Sequence, residues 1–186
     1  MTMLGDSLRE SAVFNLGGAV TMVVDDSPFS LTLTSSALSG FGVRPTFAIG
    51  SGAEARRILQ EKTVDLLIAD TDMPDVDGFE LVSWLRRSHP SSNAFTPIIM
   101  TASHIRRGLV AKARDCGANF VVTKPFSAAM LLERILWVAR DSRPFLEVGD
   151  YFGPDRRFRD EPWEGLERRA DRTRKTDVPS ERVEIA

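Results

Sequence analysis

The sequence predicts an α/β protein, a doubly wound parallel sheet of five strands with helices packed on both sides. Two observations carry that prediction. Short apolar runs alternate five times with stretches of helical periodicity, the pattern of successive strand–helix units. Four of the runs end on polar side chains: Ala19 to Val24 on Asp25-Asp26, Val64 to Ala69 on Asp70, Pro97 to Ala102 around Thr101, and Val121 to Thr123 on Lys124. Open α/β sheets hold ligands at the carboxyl ends of their strands, so these four ends would share one crevice.

Each element has its own signature. Residues 1–17 form a leader in which Leu8, Val13, Phe14 and Leu16 allow one amphipathic turn, ended by Gly17-Gly18. After the first strand, Pro28 to Leu38 reads as a helix with Ser27 as N-cap and Pro28 at its first position, stopped by Gly40-Phe41-Gly42. Arg44 to Ile49 is a second strand. Ser51 opens a helix through Gln60, with capping-box spacing to Glu54. Val64 to Ala69, apolar but for Asp65, reads as a strand covered on both faces. The loop that follows is shaped by Pro74, which fixes φ, and by Gly78, which permits a positive φ.

Phe79, Val82 and Leu85 then recur at helical spacing, with Trp84 widening the stripe, and Arg86-Arg87 and His89-Pro90 close that helix on a solvated end. Ile105 to Asp115 is a fourth helix, stopped by Cys116-Gly117-Ala118. Ser127 caps a fifth, in which Leu131, Ile135 and Val138 make one face, broadened by Leu132 and Leu136. Trp84 and Trp137 read as packing residues, and so does the single Cys116. His89 and His104 suit surface or capping roles. The folded domain spans 18–142.

Composition excludes several classes. With 24 basic and 26 acidic residues the net charge is −2, which gives no global attraction to DNA. No apolar stretch approaches the ~20 residues of a membrane span. The first 15 residues carry acids and no apolar core, which argues against a secretory signal and for a cytoplasmic protein.

Three carboxylates gathered at one sheet edge repel and need a cation or raised pKa values. An oxygen-only donor set suits Mg²⁺, and a hydroxyl and an ammonium facing it suit phosphoryl oxygens. Taken singly, each acid could equally serve a turn.

Taken together, Asp25-Asp26, Asp70-x-x-Met73-Pro74-x-x-Asp77-Gly78, Thr101-Ala102 and Lys124-Pro125-Phe126 resemble the receiver domain of two-component response regulators, the CheY-like family, over about Gly18 to Arg140. The resemblance implies the flavodoxin-like strand order 2-1-3-4-5. It implies a stand-alone response regulator that takes a phosphoryl group on Asp70 from a histidine kinase or histidine phosphotransferase, without enzymatic turnover. Asp26, Asp70 and the carbonyl of Asp72 would hold Mg²⁺, with Asp25 acting through water. Thr101 and Lys124 would contact the phosphoryl oxygens, and Lys124-Pro125 would be cis. The sequence departs from the family at Val121, where an aromatic switch residue usually stands, with Phe120 one residue earlier.

Beyond residue 142 the composition changes. Residues 143–186 hold nine Arg, one Lys and eleven acids, with four prolines and aromatics of no evident period, and read as a tail disordered when free. They lack the apolar-periodic helices of a DNA-binding effector. The excess of Arg over Lys suits guanine and phosphate recognition, and the tail resembles that of the Cle class of CheY-like proteins, which bind cyclic di-GMP and act at the flagellar motor. That resemblance implies a nucleotide site among Tyr151, Asp155, Arg156, Arg157, Phe158, Arg159, Asp160, Arg168 and Arg169. Two other readings of the tail stand beside it: a solubilising segment, or one that docks a protein target. For the whole chain the alternatives are a cyclic di-GMP-binding adaptor with the receiver fold as scaffold, and a phosphorelay intermediate.

Overall fold

Five strands, β1 (Thr21–Val24), β2 (Thr46–Ile49), β3 (Leu66–Asp70), β4 (Ile98–Ala102) and β5 (Phe120–Thr123), pair in parallel in the order β2-β1-β3-β4-β5. The computed structural model describes residues 17–43, 46–88, 91–104, 108–157 and 174–175. The helices between the strands are α1 (Pro28–Gly40), α2 (Gly52–Glu61), α3 (Gly78–Arg87), α4 (Leu109–Cys116) and α5 (Ala128–Ala139). The predicted fold class and strand order are those observed. Residues 1–16 of the leader, Arg44 at the predicted start of β2, His89 and part of the predicted start of α4 lie outside the described residues.

Two apolar clusters hold the sheet between them. Met22, Val24, Leu67, Ala69, Ile98 and Met100 face Leu59, Val82, Leu85 and Ala113 of α2, α3 and α4. Val23, Ile68, Ile99 and Val122 face Leu38 of α1 and Leu131, Ile135 and Val138 of α5. Burial on both faces is why β1, β3 and β4 are mainly apolar rather than alternating, with Thr21, Asp70 and Thr101 as their polar members. The predicted caps form: Ser27, Ser51 and Ser127 accept from the backbone amides of Ser30, Glu54 and Met130. Gly117 ends α4 in the left-handed region at φ 96°. Gly78 does a different job from the one its sequence position suggested. Its φ is not positive, and a β-carbon there would lie 2.0 Å from the carbonyl oxygen of Asp70, so the position needs glycine for space.

Two further features correct the sequence reading. Arg86 is not a solvated helix end but is 1% exposed. Its guanidinium donates to the carbonyls of Gly117, Ala94 and Thr96 and to Asn119 Oδ1, at 2.7–3.1 Å. Burial without a paired carboxylate in that set pushes its pKa down to about 9, which leaves it charged at neutral pH.

The second correction concerns the boundary at 142. Phe145–Val148 (β6) and Tyr151–Pro154 (β7) form an antiparallel hairpin around Gly149-Asp150, and Arg174–Lys175 (β8) pairs with the other edge of β6. Two of the aromatics that looked scattered converge: Phe145 and Phe152 are buried against Phe95, with ring centroids 5.2–5.6 Å apart. Arg86 lies 5.1 Å from the Phe145 ring centroid. A polar chain continues outward, because Asn119 donates to Asp141, Asp141 accepts twice from the Arg143 guanidinium, and Arg143 donates to the carbonyl of Asp155. Burial alone would raise the Asp141 carboxyl, but Arg143 and Asn119 outweigh it and hold it below its usual range. The hairpin is thus joined to the segments that lead into β4 and β5, at the end of the sheet opposite its acidic edge.

Candidate functional site

Parallel pairing explains how distant acids meet. Val24 pairs with Ala69, so Asp25 follows β1 beside Asp70 at the end of β3, and Asp70 itself pairs with Thr101 of β4. Lys124 follows β5, its amide extending the ladder to the carbonyl of Ala102 at 2.8 Å. The Lys124-Pro125 peptide bond is cis. Five predicted residues are therefore brought together: Asp25, Asp26, Asp70, Thr101 and Lys124.

Their contacts are specific. The Lys124 ammonium lies 2.6 Å from Asp25 Oδ2 and 2.7 Å from Asp70 Oδ1. Thr101 Oγ1 donates to Asp70 Oδ1 at 3.3 Å, and the Asp72 amide donates to Asp70 Oδ2 at 3.3 Å. Asp25 also accepts from the Ser27 amide, which fixes its rotamer at the start of α1. Burial would lower the Lys124 pKa, but hydrogen bonds and charge from Asp25 and Asp70 more than offset it, so the ammonium is held above its ordinary value. Asp25, Asp70 and Thr101 are buried, whereas Asp26 is exposed and leaves the nest open to solvent.

Ligand oxygens of Asp25, Asp26 and Asp70 all lie within 4.8 Å of one another. Three carboxylates facing one ammonium leave two negative charges, which a divalent cation would balance. Carboxylates of this spacing, partly open to water, fit Mg²⁺. Asp72 is exposed; its side chain accepts from the Thr71 hydroxyl and is not among those clustered carboxylates.

Residues 21–136 match the family described as the response regulator receiver domain. The chain belongs to the response regulator receiver family. Among relatives, a probable chemotaxis protein CheY of Rhizobium etli is 35% identical over 106 residues, covering 57% of this chain and 81% of its own. A transcriptional regulatory protein GltR of Pseudomonas aeruginosa is 36% identical over 120 residues, and the chain spans 48% of that protein. The solved chemotaxis protein CheY4 of Vibrio cholerae superposes with a TM-score of 0.60 at 30% identity, over 64% of this chain and 98% of that one. Receivers of this kind are phosphoacceptors and signalling switches rather than turnover enzymes, and they bind Mg²⁺ at an acidic pocket. They work with histidine kinases or phosphotransfer proteins. No helix among the described residues is long and apolar enough to cross a membrane.

Val121 and Phe120 lie on opposite faces of the sheet. Val121 packs with the α2–α3–α4 cluster, while Phe120 packs with the α5 cluster, 5.2 Å from Trp137 and 4.8 Å from the Arg134 guanidinium. Phe120 is therefore no substitute for a missing aromatic at position 121. Burial pushes the Cys116 thiol up to about 11, so it is protonated at neutral pH, as a packing residue would be.

Of the residues assigned to the tail site, Tyr151, Asp155, Arg156 and Arg157 are described, while Phe158, Arg159, Asp160, Arg168 and Arg169 lie outside the described residues. The Arg156 guanidinium sits 3.8 Å over the Tyr151 ring and 3.4 Å from Asp115. The Tyr151 hydroxyl donates to the carbonyl of Pro154, and Asp155 accepts from the Arg157 amide. Sequence reasoning missed Arg86, Asn93 and Asp75. Buried Asn93 ties the end of α2 to the start of β3 by donating to Leu59 and Lys62 carbonyls and accepting from the Val64 amide.

Proposed function

We propose that this receiver accepts a phosphoryl group on Asp70 from a phosphohistidine of a partner kinase or phosphotransferase, and that its output is contact with a protein target. The observation that carries the reading is the Asp70 carboxylate itself. It is buried, held at one oxygen by Lys124 and Thr101 and at the other by the Asp72 amide, and flanked by Asp25 and Asp26. A carboxylate so oriented is a positioned nucleophile.

In the transfer, an Asp70 oxygen forms a bond to phosphorus as the phosphorus–nitrogen bond of the donor breaks, and the imidazole leaves with that electron pair. Asp26, Asp70 and the Asp72 carbonyl would hold Mg²⁺, with Asp25 acting through water. When bound, the ion would supply neutralisation of the charge that the carboxylates and the phosphoryl group bring together. Lys124, already between Asp25 and Asp70, turns its ammonium to one phosphoryl oxygen. Thr101 turns its hydroxyl to another. With Val121 in place of an aromatic, the signal leaves this site without a ring rotating behind Thr101.

Relatives named for chemotaxis favour a target in motility, the flagellar motor among them. A second reading concerns the tail: exposed Arg156 and Arg157 beside Tyr151 would bind cyclic di-GMP. A guanine stacking on Tyr151 from that side must displace Arg156, so calorimetric binding should be altered in an Arg156→Ala/Arg157→Ala variant and kept in Asp70→Asn. No heat with the unaltered chain would remove the nucleotide reading. The acceptor reading is tested by Mg²⁺-dependent labelling with acetyl phosphate. Labelling lost in Asp70→Asn and slowed in Lys124→Ala is expected; undiminished labelling of Asp70→Asn would overturn it. Onward transfer to a histidine phosphotransferase would favour a relay, and a chain that binds the dinucleotide but never takes up phosphate would favour an adaptor.

A further inference from the structure

We propose that Asp75 is a positioning residue, whose carboxylate pins the β3–α3 loop to the amino terminus of α2 and so sets the place of Asp72 beside Asp70. The proposal rests on the reading of Asp70 as acceptor and of the carboxylate nest as a Mg²⁺ site.

The loop is fastened at two points. Its base closes where the Gly78 amide donates to the Thr71 carbonyl at 3.2 Å. Its apex is fastened by Asp75 alone among the loop's carboxylates: Oδ2 accepts from Ser51 Oγ at 2.6 Å and from the Ala53 amide at 3.0 Å, and Oδ1 accepts from the Gly52 amide at 3.2 Å. Those amides are the unsatisfied donors of the first turn of α2, where a negative charge also meets the positive end of the helix dipole. The approach is close enough that a β-carbon at Gly52 would lie 2.4 Å from the Val76 carbonyl oxygen. Between base and apex, Met73 is buried in the core and the Asp72 amide touches Asp70 Oδ2. Asp72 is thus carried on a short span stretched between two anchors.

Asp75 is itself exposed and stands outside the acidic nest, so its removal strands no buried charge. The base and Met73 remain to keep the loop folded. What is lost is the apex anchor, and with it the fixed distance from the Asp72 backbone to Asp70. A cap that only stabilised α2 would change melting and nothing else.

The experiment titrates Mg²⁺ calorimetrically into the full chain and into Asp75→Ala and Asp75→Asn, with thermal melting recorded without Mg²⁺. Asp75→Ala should weaken Mg²⁺ by about tenfold, the low end for groups that orient metal ligands from outside. Asp75→Asn should recover most of it: with its amide oxygen in the place of Oδ2 it still accepts from the Ser51 hydroxyl and the Ala53 amide, and only the longer bond from the Gly52 amide is lost. Mg²⁺ affinity unchanged in Asp75→Ala, whatever its melting point, would overturn the proposal. So would an Asn variant as weak as Ala, because charge rather than the tether would then be responsible. If Asp75→Ala does not fold, Asp75→Glu decides in its place: displaced by one methylene, it should bind Mg²⁺ more weakly, and unchanged affinity overturns the tether. Mg²⁺ binding absent from the unaltered chain would instead overturn the site reading, and this proposal with it.

Discussion

Replacing Arg86 by Met should destabilise the domain more than most buried substitutions, although Met is apolar and keeps an unbranched stem. Arg86 satisfies four oxygens, the carbonyls of Gly117, Ala94 and Thr96 and the Asn119 side chain. Asn119 Oδ1 keeps the Ile98 amide as a second donor, so three carbonyls are the main loss. Each buried acceptor left unpaired costs about 1–3 kcal/mol, a gross penalty of roughly 3–9 kcal/mol. Taking an unpaired charge out of the interior offsets part of this. The expected net loss is about 3–5 kcal/mol, a large share of the roughly 5–15 kcal/mol that hold a domain together. In urea, with a slope of about 2 kcal/mol per molar, the midpoint should fall by about 2 M at unchanged slope. Arg86→Lys, with three donors on a flexible stem, should fall in between. A Met variant within about 0.5 M of the parent chain would show that these bonds contribute little net stability and refute the reasoning.

Two other outcomes follow from the same geometry. Phe152→Ala should cost about 3–5 kcal/mol and expose the Phe95–Phe145 pair, seen as faster hydrogen exchange in residues 145–154 with the acidic pocket still able to bind Mg²⁺. Because folding raises the Lys124 pKa above its ordinary 10.5, its ion pairs add stability that is complete below that value and lost as pH climbs through the folded-state value. Melting followed up the alkaline limb should show this loss, and Lys124→Met should abolish that component.

The acidic site was legible because each of its groups stands at the end of a strand. A strand end is a local pattern, and parallel pairing alone brings four such ends together. Arg86 was not legible for the opposite reason. An arginine in the last turn of a helix looks the same whether solvated or buried, and its acceptors lie 8 to 33 residues away. The hairpin left a usable trace: two four-residue segments around Gly149-Asp150, a two-residue loop between β-prone aromatics. The charged residues that follow it dominated the composition and hid it. Asp75 was hidden inside the motif that flanks Asp70, since nothing local says that its partners are the first amides of α2.

The measurement that tests the account most directly is mass spectrometry of the chain after brief exposure to acetyl phosphate with and without Mg²⁺. One phosphoryl group on the peptide bearing Asp70, present only with Mg²⁺, is the predicted result. A phosphoryl group on any other residue, or none at all in a folded chain, would contradict it.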